Sequence, residues 1–248
     1  MVVYLMIFLY GIIIGSFLNV CIYRIPKKEN IVTTRSHCMA CGYQLKWYDL
    51  IPIFSFVILR GRCRKCGEKV SIQYPLIELA NGVLWVLTFA FCGFQIETIL
   101  YCLMISGLLV LSVIDARTFE IPFGINVYLL VLGGIREIVS GCTLISLLMD
   151  LFLVSGFLML LYILTKRKGI GGGDIKLMFA AGALLGWKLT VLALFFGCLY
   201  GSVIHIFRMK CMHAGRVLAM GPYLSMGMVT AAWFGNTIIS WYLQFFII

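Results

Sequence analysis

The chain has 248 residues, of which 62% are hydrophobic and 12% are charged, and its mean hydropathy is +1.03. A soluble domain is nearer half apolar and carries about twice as much charge, so a soluble fold of this size would lack polar surface. The apolar residues form long runs that approach the roughly 20 residues needed to cross a bilayer. This composition excludes a disordered chain, a collagen-like repeat and a small disulfide scaffold. It predicts an all-α polytopic membrane protein.

Eight apolar runs follow one another, and each predicts one transmembrane helix. The first has no basic amino-terminal region and no small-residue cleavage site, so we expect a retained helix rather than a signal peptide. The sixth is short and rich in Gly and Ala. The runs cover residues 1–23, 74–94, 98–114, 121–139, 143–164, 177–186, 188–207 and 220–246.

The net charge of +10 is unevenly placed, with ten of the 20 Lys and Arg residues between Arg24 and Lys69. With eight spans, the odd-numbered loops contain 18 Lys and Arg residues, and the even-numbered loops contain only Arg136 and Lys188. Because basic loops face the cytoplasm, we expect cytoplasmic odd loops and both termini outside. The expected partner of the basic residues is therefore the lipid bilayer and not nucleic acid.

Four of the ten Cys residues form two Cys-x-x-Cys pairs, Cys38 with Cys41 and Cys63 with Cys66, and 21 residues separate the pairs. This spacing is typical of a structural zinc ribbon with four thiolate ligands. A Gly follows each pair and suits a turn that directs backbone N–H groups at the thiolates. Disulfides are the alternative, which a reducing cytoplasm disfavours. His37, beside the first pair, is an alternative ligand, but we expect a solvated side chain there.

An aromatic segment, WYDLIPIFSF at residues 47–56, lies between the two Cys pairs. It is too short to cross a bilayer, and Pro52 interrupts any helix. One interpretation places the segment against the membrane surface, where Trp and Tyr are favoured. The other makes it the small core of the zinc ribbon, and the sequence does not decide between them.

Two of the ten acidic residues border apolar runs: Asp115 follows the third run, and Asp174 precedes the sixth. The predicted topology puts both at the cytoplasmic edge, where an ionisable group is functional by default. Two close carboxyl groups suit an aspartic protease, because one keeps a proton while the other activates water. Helix capping is the alternative for Asp174. Capping explains Asp115 poorly, since an anion near a helix C-terminus opposes the helix dipole.

The dipoles suggest different roles for the two acids. Asp174, at a helix N-terminus, is expected to ionise more readily and act as the base, while Asp115 carries the proton. Asp150, towards the outer face, is interpreted as a local polar contact. The residues expected to support the substrate or the site are Gly171, Gly172, Gly173, Lys176, Glu78 and Arg24.

Several motifs occur in a specific order along nearly the whole chain. They are GSFLNV at 15–20, YRIP at 23–26, the two Cys pairs, YPLIE at 74–78, Asp115 ahead of IP at 121–122, GGGDIK at 171–176 and GPYL at 221–224. The chain resembles the bacterial type IV prepilin peptidases, which are GxGD-type membrane aspartic proteases. Phe123 departs from the Asn or Asp usual in that family, and we expect this residue to tune a turn without abolishing catalysis.

The resemblance implies an inner-membrane endopeptidase with Asp115 and Asp174 as its catalytic pair. Its substrates are prepilins or pseudopilins, whose basic leader is removed after a Gly on the cytoplasmic side while their hydrophobic N-terminal helix stays in the membrane. These substrates serve type IV pili, type II secretion or competence. The expected domains are a first helix (residues 1–23), a cytoplasmic four-cysteine zinc-ribbon-like domain (24–73) and a seven-helix peptidase domain (74–248).

The resemblance further implies that S-adenosylmethionine is used to methylate the new N-terminal residue, commonly Phe. No Gly-rich Rossmann fingerprint in the sequence marks a site for that methyl donor. Two other functions are alternatives. A transporter with paired acids would place them near the bilayer midplane. A membrane-anchored zinc-ribbon binding module would explain the basic loop and leave Asp115 without a role.

Overall fold

The structure, a computed structural model, describes residues 1–167, 169–212 and 218–245. Lys168 and Arg216, two of the basic loop residues, and Phe246, the predicted end of the last run, lie outside these residues. The described residues form helices and two isolated antiparallel bridges, which confirms the all-α class. The helices are α1 (Val2–Lys27), a 3-10 helix (Trp47–Leu50), α2 (Phe54–Ile58), α3 (Gln73–Cys92), α4 (Ile96–Thr118), α5 (Phe123–Ser140), α6 (Leu144–Leu164), α7 (Gly172–Leu185), α8 (Trp187–Met212) and α9 (Gly221–Gln244).

The chain forms two compact units, Met1–Ala90 and Phe91–Ile248. In the first unit, α1 and α3 cross closely through small residues. A Cβ atom on Gly11 would lie 2.7 Å from Cα of Gly82, and a Cβ atom on Gly15 would lie 2.7 Å from Cα of Glu78. The Asn81 side chain donates a 2.7 Å hydrogen bond to the Gly11 carbonyl. The four-residue spacing of the two α1 glycines is the small-xxx-small pattern that membrane helices use for close packing.

Four apolar side chains of the aromatic segment are exposed, those of Trp47, Leu50, Ile51 and Phe54. Trp47 is 77% exposed, whereas Asp49 is buried. The Asp49 carboxylate accepts a 2.7 Å hydrogen bond from Nε of Arg64 and so ties the 3-10 helix to the second Cys pair. Because these apolar side chains are not enclosed, the structure favours the membrane-facing interpretation over a ribbon core.

The second unit is built around α7, which packs against α5, α6 and α8, while α9 packs against α4 and α8. Glycines allow these contacts to be close. A Cβ atom on Gly182 of α7 would lie 1.8 Å from the Asp150 carbonyl oxygen, and one on Gly227 of α9 would lie 2.2 Å from that of Ala193. Large side chains that are fully buried include Leu111, Leu129, Leu177, Leu224 and Met228.

A single residue, Gly186, separates α7 from α8, and its φ of +79° is one that favours glycine. Asp150 of α6 accepts a 2.8 Å hydrogen bond from the Trp187 N–H group and lies 3.5 Å from Nη1 of Arg136. It thus caps the first turn of α8. This arrangement confirms the expected local polar contact. The helix α7 ends after 14 residues at Leu185, with Gly186 as its C-cap.

Six of the described helices, α1, α3, α4, α5, α6 and α8, are long and apolar enough to cross a membrane. The helix α7 has 14 residues and is too short to be a membrane-spanning candidate. The helix α9 has 24 residues but is not one of the six membrane-spanning candidates. The membrane architecture is thus supported, while the number of eight spans stays a prediction.

Candidate active site

Asp115 lies in the last turns of α4, and its side chain is buried. Its Oδ2 atom accepts a 2.8 Å hydrogen bond from the backbone N–H group of Gly221, the first residue of α9. The N-terminus of a helix carries a partial positive charge. The α9 N-terminus therefore stabilises a carboxylate that the dipole of α4 disfavours.

Gly221 leaves no room for a side chain beside this carboxyl group. A Cβ atom at this position would lie 2.6 Å from Oδ2 of Asp115 and 2.8 Å from Cδ2 of Leu111. The sequence marks GPYL as a family motif without giving Gly221 a role. The structure shows that this residue both donates to Asp115 and makes space for it.

Asp174 occupies the first turn of α7, where its carboxyl group is hydrogen-bonded to the backbone of Gly171. This contact resembles the capping alternative considered for Asp174. The Asp115 carboxyl group is close enough to interact with Asp174 electrostatically. The structure therefore places the two acids within electrostatic range of one another, and their catalytic role stays a prediction.

Both carboxyl groups lie at helix N-termini, Asp174 on α7 and Asp115 against α9. The dipole argument for a basic Asp174 and an acidic Asp115 considered only the helix that carries each residue. The structure does not support these separate roles, because the α9 dipole acts on Asp115 as the α7 dipole acts on Asp174. We therefore assign the pair jointly and do not divide the roles.

The three glycines before Asp174 have different surroundings. A Cβ atom on Gly171 would lie 2.8 Å from Oδ2 of Asp174, and one on Gly173 would lie 3.1 Å from Cβ of Ile121. A Cβ atom on Gly172 would meet nothing within 4 Å. Two of the glycines thus shape the site, and the third borders open space.

Lys176 and Phe123 contact one another beside this turn. The Nζ atom of Lys176 lies 5.7 Å from the centroid of the Phe123 ring, within the range of a cation–π interaction. Phe123 is the first residue of α5, and Pro122 is its N-cap residue. The residue that departs from the family pattern therefore contacts one of the predicted site residues.

The two Cys pairs fold into equivalent turns. In the first, the Cys38 N–H group donates to the Tyr43 carbonyl and the Gly42 N–H group donates to the Cys38 carbonyl, both at 2.9 Å. The second pair repeats the pattern at 2.8 and 3.0 Å. Gly42 and Gly67 take φ values of +68° and +71°, which explains why a Gly follows each pair.

The four sulfur atoms lie within 4.8 Å of one another. The Sγ atoms of Cys38 and Cys66 are 3.9 Å apart, and those of Cys41 and Cys63 are 4.0 Å apart. A tetrahedral zinc site with bonds of about 2.3 Å places its sulfur ligands about 3.8 Å apart. Backbone N–H groups of Cys66 and Lys65 lower the pKa of the Cys63 thiol to about 6. For Cys66, the backbone hydrogen bond at Glu68 is outweighed by burial and the other three thiols, which raise the pKa to about 12. The spacing of the four sulfur atoms means that the cluster could hold a metal ion.

Arg24 and Glu78, two predicted supporting residues, make their contacts within the first unit. Nη1 of Arg24 donates to the carbonyl groups of Asn30, Ile31 and Thr34 at 2.9–3.3 Å and so fixes the chain that follows α1. The Glu78 carboxylate accepts a 2.7 Å hydrogen bond from the Ile53 N–H group. Neither contact involves an acid of the proposed pair.

These features define a class: a helical membrane protein with two aspartates at helix termini and a four-cysteine cluster. Residues 9–92 match the bacterial peptidase A24 N-terminal domain, and residues 102–206 match the type IV leader peptidase family. The chain belongs to the type IV leader peptidase family. No solved structure matches it.

The most similar relatives include three proteins named prepilin leader peptidase/N-methyltransferase. The chain is 32% identical to that of Bacillus subtilis (strain 168), over 96% of this chain and 97% of the relative. It is 32% identical to that of Myxococcus xanthus (strain DK1622), over 81% of this chain and 61% of the relative. It is 30% identical to that of Legionella pneumophila, over 98% and 95% respectively.

Proposed function

We propose that this chain is a prepilin leader peptidase and N-methyltransferase of a bacterial inner membrane. It cleaves prepilins or pseudopilins after a Gly, removes their basic leader and leaves their hydrophobic N-terminal helix in the bilayer. The observation that carries the proposal is the approach of Asp115 and Asp174, each at a helix N-terminus, in a chain of the leader peptidase family.

The pair performs general acid–base catalysis on the scissile peptide bond. One carboxyl group keeps its proton and donates a hydrogen bond to the scissile carbonyl, while the other takes a proton from water. The water oxygen bonds to the carbonyl carbon, and the C–N bond then breaks as a proton passes to the leaving amine. The products are a leader that ends in a carboxylate and a substrate with a new N-terminal amine.

The surroundings of the pair suit an extended peptide. Gly171 and Gly172 are exposed, and the space around Gly172 is open. A substrate backbone can therefore approach the N-terminus of α7 without meeting a side chain. In the predicted topology this end of α7 faces the cytoplasm, both termini lie outside, and water reaches the pair without crossing hydrocarbon.

Two cofactors belong to the proposal. Cys38, Cys41, Cys63 and Cys66 hold Zn²⁺ as a closed structural site in a domain spanning residues 24–73. S-adenosylmethionine, when bound, would supply the methyl group for the new N-terminal amine of the substrate.

The deciding experiment measures cleavage of a purified prepilin with its leader, using the full chain in detergent or lipid. Asp115→Asn and Asp174→Asn each lower the cleavage rate at least about 100-fold, because either change removes one member of an acid–base pair. Asp150→Asn is the matched control, since an Asn oxygen can still accept from Trp187. Cleavage that survives in either pair variant contradicts the proposed mechanism and favours a zinc-ribbon binding module.

A further inference from the structure

The first unit encloses a cavity of about 440 Å³ that the proteolytic mechanism does not use. Its wall is formed by one face of α1, the 3-10 helix, α2, the start of α3 and one Cys of each pair. Pockets for small molecules and cofactors span about 300–1,000 Å³, so the volume fits a single nucleoside-sized ligand. We infer that this cavity binds S-adenosylmethionine, an inference that rests on the methyltransferase half of the proposed function.

A buried carboxylate lies in the wall of the cavity. Glu78 is 6% exposed and accepts hydrogen bonds from two neutral groups, the Ile53 N–H group at 2.7 Å and the Ser16 hydroxyl group. Within the described part of the chain, no Lys or Arg nitrogen lies within ion-pair distance of Glu78. A buried anion is costly without a cation. The sulfonium or ammonium group of S-adenosylmethionine supplies one.

A buried cation lines the same cavity. Arg24 is 6% exposed, and its bonds to the chain after α1 use only one of the three guanidinium nitrogens. A guanidinium group is well suited to hold a carboxylate. The cavity thus offers one group of each sign, which matches a ligand with two cationic groups and one carboxylate. The basic side chain of a prepilin leader would match Glu78 and be repelled by Arg24.

The cavity also has aromatic and apolar surface for a nucleobase. Phe56 of α2 and Tyr74 of α3 both line it, and Val20 of α1 contributes an apolar wall. Aromatic rings of this kind stack on an adenine ring, and their faces attract a sulfonium cation. Cys38 and Cys63 are also in the wall, so a metal ion held by the cluster would keep this side of the cavity in place.

Equilibrium dialysis of radiolabelled S-adenosylmethionine against the full chain in detergent tests the inference. Glu78→Gln is expected to weaken binding about tenfold or more, because it removes the charge that the ligand cation meets. Val20→Phe fills the cavity and is expected to weaken binding similarly. The matched controls, Glu97→Gln and Val191→Phe on α4 and α8, bind as the wild type does. Unchanged affinity in both cavity variants overturns the inference.

Ultraviolet cross-linking of the labelled methyl donor to wild-type protein gives a result that does not depend on the variants folding. The inference predicts label in peptides from residues 16–24 or 36–78. Label found only in residues 91–245, or no binding at all, overturns it.

Prepilin cleavage without the methyl donor is measured on the same preparations. If the protein cleaves prepilin but the label is found elsewhere, the proposed peptidase activity is supported and the proposed methyl-donor site is contradicted. If the protein does not cleave prepilin but the label is found in the cavity, the peptidase activity is contradicted and the methyl-donor site is supported.

Discussion

The carboxylate of Asp115 and the backbone N–H group of Gly221 are 106 residues apart in sequence and 2.8 Å apart in space. This hydrogen bond joins the C-terminal end of α4 to the N-terminal end of α9. It places an acid that ends one helix on the favourable end of another helix dipole. The position of one member of the proposed catalytic pair therefore depends on a glycine near the end of the chain.

Gly221→Ala is expected to lower prepilin cleavage about 100-fold, because a displacement of about 1 Å in a catalytic group has an effect of that size. The added Cβ atom would lie 2.6 Å from Oδ2 of Asp115, so the carboxyl group must move. Gly134→Ala in α5, where a Cβ atom meets nothing within 4 Å, is the control. A Gly221→Ala enzyme with the wild-type rate would show that Asp115 tolerates this movement.

The glycines before Asp174 are expected to differ in sensitivity. Gly171→Ala puts a Cβ atom 2.8 Å from Oδ2 of Asp174 and should lower the cleavage rate by about 10- to 100-fold. Gly172→Ala adds its methyl group to open space and should cleave within a few-fold of wild type. Initial rates at saturating prepilin compare the two. Equal losses would mean that the substrate itself fills the space beside Gly172.

Gly182→Ala is expected to destabilise the second unit by about 2–3 kcal/mol, the upper range for overpacking a close contact. The new Cβ atom would fall 1.8 Å from the Asp150 carbonyl oxygen, so α6 and α7 must separate. Thermal unfolding in detergent measures the change. Gly156→Ala on α6, where a Cβ atom meets nothing within 4 Å, controls for the substitution. Equal melting temperatures for the two variants would contradict the close packing of α6 and α7.

Cys66→Ser should reduce bound zinc from one ion per chain to nearly none, because three thiolates hold a structural ion far less well than four. Cys198→Ser on α8 removes a thiol outside the cluster and should leave the metal content unchanged. Elemental analysis of protein purified without chelators gives both values. One zinc ion retained in Cys66→Ser would point to a replacement ligand, and His37 is the nearest residue in sequence to test.

The sequence predicted those features of the fold that depend on local hydropathy. The apolar run at 143–164 became α6, and Thr143 accepts a hydrogen bond from the Ser146 N–H group as its N-cap. The first run was predicted to end at residue 23, whereas α1 continues to Lys27 through Pro26. Hydropathy marks where hydrocarbon ends, but a helix can continue beyond it.

The features that the sequence did not reveal depend on contacts between distant residues. Gly221 is adjacent to Asp115 only because α9 packs against α4. The hydrogen bond from the Trp187 N–H group to Asp150 likewise forms only because α6 packs beside the start of α8. The four Cys residues were the opposite case, since their spacing and the following glycines describe the local turns almost completely.

The exposed side chains of Trp47, Phe54, Val57 and Ile58 have a practical consequence for dissecting this protein. A fragment containing residues 24–73 would carry these side chains into water without the lipid that we expect to cover them. Contiguous apolar surface of this kind drives aggregation in soluble preparations. The cysteine-containing region is therefore a poor candidate for expression by itself, and detergent or nanodiscs should be retained even when only its metal chemistry is studied.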